Sequence, residues 1–188
     1  MKKIVTYLIV FVFGSLLGMF YDFIHVVYGV LYYTHPHFYG ESLWVFPEFG
    51  LAAVQFTFWM EIIIWKTGRF EETNLKNCIY NALLLLMGYL ITGWFVGNNL
   101  LTFLLLIPFG LFTLVIHKEK RERFIILVTA IVGPLNEMLI SSTGFFNYNF
   151  PTFIVPYWLP VLWIIAAGFF IEMTKYLISL RNTNGTIA

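Results

Sequence analysis

Leu111-Phe112-Thr113-Leu114-Val115-Ile116-His117-Lys118-Glu119-Lys120-Arg121-Glu122-Arg123-Phe124-Ile125-Ile126-Leu127 sets four cations between two apolar runs. The first run begins at Leu100 and the second ends near Ile140. Outward from this point the same alternation repeats. Apolar segments occupy about Ile4 to Leu31, Leu43 to Trp65, Cys78 to Val96, Leu100 to Ile116, Phe124 to Ile140 and Pro156 to Leu180. The remaining basic residues are Lys2 and Lys3, then Lys66, Arg69 and Lys76, and finally Lys175 and Arg181, which completes all 11. Every one falls at an end of the chain or in the second or fourth connection; the first, third and fifth carry none. Cationic loops stay on the cytoplasmic side. The pattern predicts an all-α membrane protein of six transmembrane helices with N- and C-termini cytoplasmic, residues 1–188 forming a single domain.

Composition points the same way. The chain is 60% hydrophobic and 11% charged with mean hydropathy +0.80, whereas soluble domains carry about 25% charged residues. A span uses roughly 20 apolar residues, so six of them leave no room for a soluble domain. The basic loops are short and fit topology and anionic headgroups, not nucleic acid. One cysteine, Cys78, allows no intrachain disulfide. Lys2-Lys3 and the following run lack a small-x-small cleavage site, so the run is read as a retained first span and not a signal peptide.

Within the spans, Gly14 and Gly18 form a small-xxx-small pattern that lets helices approach closely. Asp22 and His25 share a face at the end of span one. Loop one, Tyr32 to Glu41, is aromatic and suits the headgroup level. Gly97-Asn98-Asn99 is a tight turn between spans three and four. Gly133-Pro134 predicts a kink in span five. Loop five, Ser141 to Val155, is uncharged and aromatic, as a folded plug or re-entrant turn would be. Glu172 and Lys175, three apart, are placed to pair.

At about 1.5 Å per helical residue, Asp22, His25, Glu48, Asn98, Asn99, Asn136 and Glu137 share the outer half of the bilayer. An ionisable group in hydrocarbon costs at least ~2.5–3.5 kcal/mol, so such groups face a cavity or one another. A polar-lined cavity opening outward and simple headgroup contact are both compatible with these depths. His25, His35 and His37 supply ligand types without a metal-site spacing, and no metal or other cofactor is expected. Glu48 and Glu137 would serve a lipid- or isoprenoid-modifying enzyme only if they shared one pocket. A small transport subunit is a further alternative, although one broken helix is fewer than such sites use.

Four stretches also resemble a known family. Leu43-Trp44-Val45-Phe46-Pro47 precedes Gly50-Leu51-Ala52-Ala53-Val54. Phe95 comes with Asn98-Asn99. Thr143-Gly144-Phe145-Phe146-Asn147-Tyr148 comes with Pro151, and Trp158-Leu159-Pro160 follows. In this order they are similar to motifs of the Insig family, six-span lipid-sensing proteins of the animal endoplasmic reticulum. The likeness covers about Leu43 to Leu180. It implies an Insig-like bundle that is not an enzyme, binds a sterol or other lipid between its helices and holds partner membrane proteins. Two positions differ: Leu101 stands where animal members have a glutamine, and His117-Lys118 where they have an aspartate. These departures argue against oxysterol recognition and against the animal partner set; the expected relation is a prokaryotic homologue that binds a different lipid.

The expectation is therefore an intramembrane pocket, apolar below and polar at its mouth, lined by Trp44, Gln55, Trp94, Asn98, Asn99, Glu137, Phe146, Tyr148 and Trp158. The ligand would be a sterol-like lipid or a glycerolipid. The partner would be another membrane protein or a second copy of the chain. The location would be a prokaryotic cell membrane, or the endoplasmic reticulum in a eukaryote.

Overall fold

Six helices follow the apolar runs. The computed structural model describes residues 3–67 and 73–183, with only the helical backbone for 64–67 and 182–183. Lys2 and Arg69, two of the cations that define the expected topology, lie outside the described residues, as does the side chain of Lys66. The helices are α1 (Lys3–Val27), α2 (Val45–Thr67), α3 (Leu75–Trp94), α4 (Asn99–Ile116), α5 (Lys120–Ser142) and α6 (Leu159–Thr183). Five of them are long and apolar enough to cross a membrane. The other, α2, has the length at 23 residues but carries Glu48, Gln55 and Glu61. The chain is a multi-pass integral membrane protein.

Burial separates the helices by role. In α6, 72% of the most apolar window is buried, against 22–33% for α1, α3, α4 and α5. Those four expose Leu8, Phe20, Leu83, Leu104, Leu111, Leu127 and Ile131, the surface expected where the solvent is acyl chain and not water.

The chain divides into two compact units. Unit one comprises the described parts of Met1–Phe20, Trp44–Ala82 and Phe169–Ala188. Here α1 and α2 meet through small residues. A Cβ on Gly14 would lie 2.4 Å from Ala53 Cβ, one on Gly18 2.2 Å from Phe49 Cγ, and one on Gly50 2.3 Å from Ser15 Oγ. The small-residue motif thus does what its spacing suggested: it removes side chains so that backbones can close. Near one end, Glu61 of α2 binds Lys3 Nζ at 2.8 Å and Tyr7 OH at 3.2 Å, and also takes a bond from Arg181 of α6. Glu172 and Lys175 do pair, at 3.1 Å and both buried. Thr73 donates to the same carboxylate, and Cys78 Sγ donates to Glu172 O at 3.3 Å.

Unit two comprises Tyr21–Leu43 and Leu83–Gly168. Its connections fold onto each other. Strand β1 (Leu31–Tyr33) pairs antiparallel with β2 (Phe146–Tyr148), in the register Leu31↔Tyr148, Tyr32↔Asn147 and Tyr33↔Phe146. Amides beyond each end continue the ladder, Thr34 N to Phe145 O at 3.1 Å and Asn149 N to Val30 O at 3.0 Å. The period-2 alternation buries Leu31, Tyr33, Phe146 and Tyr148. A two-stranded sheet is marginal alone and needs such packing. Loop five is therefore folded, as its composition suggested, but as a strand. Helix α5 runs through Pro134, and Gly133 leaves room for an indole: a Cβ there would lie 2.1 Å from Trp163 Cδ2.

Candidate functional site

The turn between α3 and α4 sets the site. Gly97 at φ +84° reverses the chain, a conformation open to glycine at little cost. Asn98 then caps α4, its Oδ1 accepting from Leu101 N at 3.1 Å. That bond satisfies one of the helix's orphan amides. Asn99, next in line, reaches across the unit. Its Nδ2 donates to Phe150 O at 2.9 Å, and its Oδ1 accepts the indole N–H of Trp158 at 3.0 Å. One amide thus ties loop five to the start of α6.

Around Trp158 the rings form a continuous group. Tyr148 stands edge-on to it with centroids 6.2 Å apart, and His25 does so at 6.0 Å. His25 lies 4.4 Å from Tyr89, which stacks on Tyr21 at 5.1 Å. Phe146 packs against Tyr148 at 5.8 Å. The Thr92 hydroxyl donates its one proton to Tyr89 O at 2.7 Å and meets His25 Nε2 at 2.8 Å. Nε2 is therefore the protonated nitrogen in this arrangement.

Beside Asn99 and Trp158 lies a shallow cleft with about 10 Å³ of cavity space. Thr92, Thr102 and Asn99 give it polar atoms, while Val30, Phe95, Phe150 and Pro156 give it apolar walls. The Thr102 hydroxyl turns to Phe95 O at 3.2 Å. A space of this size admits about one water-sized group, so it can take only a small polar fragment of a larger molecule.

The carboxylate expected at the site is held nearby. Glu137 of α5 accepts the Tyr148 hydroxyl on Oε2 and the Trp163 indole on Oε1, the latter at 2.6 Å. Burial first, and then the Glu137 charge, hold the Tyr148 hydroxyl well above its usual range, so it stays a donor. Both oxygens take ring donors, which positions Glu137 as a structural acceptor more than as a free base.

Of the nine residues expected at the site, Asn99 and Trp158 line the cleft, and Phe146 and Tyr148 stand in the ring group. Trp94, over half exposed, donates to Tyr28 OH at 3.2 Å, and Asn98 serves as a cap. Trp44 and Gln55 belong to unit one, as does Glu48. Sequence reasoning missed Thr92, Thr102 and Trp163. Hydroxyls and indoles inside apolar helices carry no signal until a partner is placed beside them. At the position where Insig members of animals have aspartate, His117 is buried and bonds Glu122 Oε2 through Nδ1 at 3.1 Å. Leu101 offers only its backbone amide, to Asn98.

Residues 78–183 match a family model described as "Protein of unknown function (DUF2878)". No curated protein matches the chain. Two solved structures share its fold. One is a mycobacterial Insig homolog, MvINS from Mycobacterium vanbaalenii, at TM-score 0.81 and 16% identity, covering 94% of this chain and 95% of that one. The other is a cross-linked trimer of MvINS with the same score, identity and coverage. The fold is Insig-like, as the four motifs implied.

Proposed function

We propose a function for this chain, which belongs to the DUF2878 family of proteins of unknown function and carries the fold of a mycobacterial Insig homolog. It is a non-catalytic membrane protein that binds a lipid, sterol-like or glycerolipid, within the bilayer. The head sits in the cleft beside Asn99, and the tail lies along apolar helix surfaces. Six spans with both ends in the cytoplasm would place that cleft in the outer half of a prokaryotic cell membrane.

The observation that supports this most is the Asn99–Trp158 bond at the wall of the cleft. It fixes an amide and an indole in place before any ligand arrives, and a few fixed polar groups are what orient a bound head. Burying an alkyl tail then contributes at about 25 cal/mol per Å². The cleft's polar atoms are amide and hydroxyl groups, with no Lys or Arg among its lining residues. A second copy of the chain is the partner this reading names first, since MvINS has been solved as a cross-linked trimer. Lipid regulation of another membrane protein would follow from lipid-dependent assembly.

Native mass spectrometry of the protein extracted in mild detergent tests both parts. A retained lipid mass, lost in Asn99→Leu, supports the site. A folded protein that repeatedly carries no lipid overturns it. The subunit count from the same spectra tests self-association.

A further inference from the structure

Loop one closes on itself between His37 and Glu41. The amides of His37 and Phe38 donate to Glu41 O at 2.8 and 3.1 Å, and Glu41 N donates back to Phe38 O at 2.9 Å. The tip, Tyr39-Gly40, has positive φ at both residues, 48° and 90°. This hairpin is seated on the end of α1: a Cβ on Gly40 would lie 2.9 Å from Val26 Cγ1. Asp22 lies one turn before Val26, and residues four apart share a helix face. The hairpin therefore covers the face that carries Asp22.

Its two sides differ sharply. Phe38 and Tyr39 are 62% and 77% exposed, whereas Glu41 is only 3% exposed. Glu41 Oε1 is buried with no hydrogen-bond partner among the described residues. No Lys or Arg occurs anywhere in 4–65 or 124–174 to compensate it. A buried carboxylate oxygen without a partner is tolerated far better neutral than charged. Burial first, and the Asp22 carboxylate second, push the Glu41 carboxyl up to about 8.

The other titratable groups of the surrounding elements are already engaged. Asp22 of α1 accepts from Tyr33 of β1. His25 of α1 is bonded to Thr92 of α3, and Tyr148 of β2 to Glu137 of α5. On the loop itself stand the side chains of His35 and His37, both exposed.

We propose that the loop-one hairpin is a proton-operated latch, seated on the last turns of α1 while Glu41 is neutral and released when it ionises. In the open hairpin Glu41 meets water and titrates near its ordinary 4.5; seated, it keeps its proton to about 8. Seating is therefore strongest below about 4.5, weakens as pH rises between these values, and is weakest above about 8. Release would hydrate Asp22 and swing the exposed Phe38–Tyr39 pair away from α1.

Hydrogen–deuterium exchange of the full chain in detergent, followed from about pH 5 to about pH 9 on peptides covering the hairpin, tests the latch. After correction for intrinsic exchange, protection should fall by up to about tenfold per pH unit and then level off near 8. Glu41→Gln, which cannot ionise, should show a clearly shallower pH dependence than wild type, since of the two carboxyls that release hydrates only Asp22 remains. Asp22→Asn removes the like charge, so its levelling should move to lower pH. Wild-type protection that does not change over this range overturns the latch. So does a Glu41→Gln slope equal to wild type, or an Asp22→Asn profile that does not move.

Discussion

The indole N–H of Trp158 donates to Asn99 Oδ1 at 3.0 Å while Asn99 Nδ2 donates to Phe150 O at 2.9 Å, so one amide joins α4, loop five and α6. Asn99→Leu removes both bonds and strands a donor on the buried Trp158. A buried group left unpaired costs about 1–3 kcal/mol. Thermal unfolding in detergent should therefore occur at clearly lower temperature.

Close contact of α1 and α2 rests on Gly18. A Cβ there would meet Phe49 Cγ at 2.2 Å and Phe49 Cβ at 2.4 Å. The second atom belongs to the root of the side chain, so rotation of the ring gives no relief. Gly18→Ala should destabilise by about 1–3 kcal/mol, as overpacking does. The measurement is the same unfolding experiment. An unchanged midpoint would show that the helices separate freely.

Glu172 and Lys175 are a buried pair at 3.1 Å in α6. Removing one partner leaves a buried charge and costs about 3–5 kcal/mol. Lys175→Met alone should therefore be strongly destabilising, while Glu172→Leu combined with Lys175→Met recovers much of the loss. A double-mutant cycle checks this through the non-additivity of the two changes.

Glu137 accepts from Tyr148 and Trp163 together. In Glu137→Gln the amide must turn an N–H₂ group toward one of those donors. The variant should lose about 1–3 kcal/mol of stability. A catalytic carboxylate would show the opposite pattern: full stability with a lost turnover. Stability measured alongside any assayed lipid conversion separates the two.

The helices were legible because acyl solvent demands long apolar runs. The expected segment from Cys78 to Val96 became Leu75–Trp94, and that from Leu100 to Ile116 became Asn99–Ile116. The β1–β2 ladder was not legible. Its strands have three residues each and join parts of the chain more than a hundred positions apart, as the Thr34–Gly144 bond at a separation of 110 also does. No local pattern encodes such pairing. Asn98 and Asn99 look equivalent in sequence, yet one is consumed as a helix cap and the other spans the unit. Only backbone geometry decides which amide faces which way.

Lipid binding beside Asn99 is tested most directly by native mass spectrometry of wild type and Asn99→Leu, extracted side by side in mild detergent. The expected result is a lipid mass on the wild type that falls about tenfold or more in the variant, the loss that roughly 1.4 kcal/mol of head contact produces. Equal lipid occupancy on both proteins, or none on a folded wild type, would contradict it.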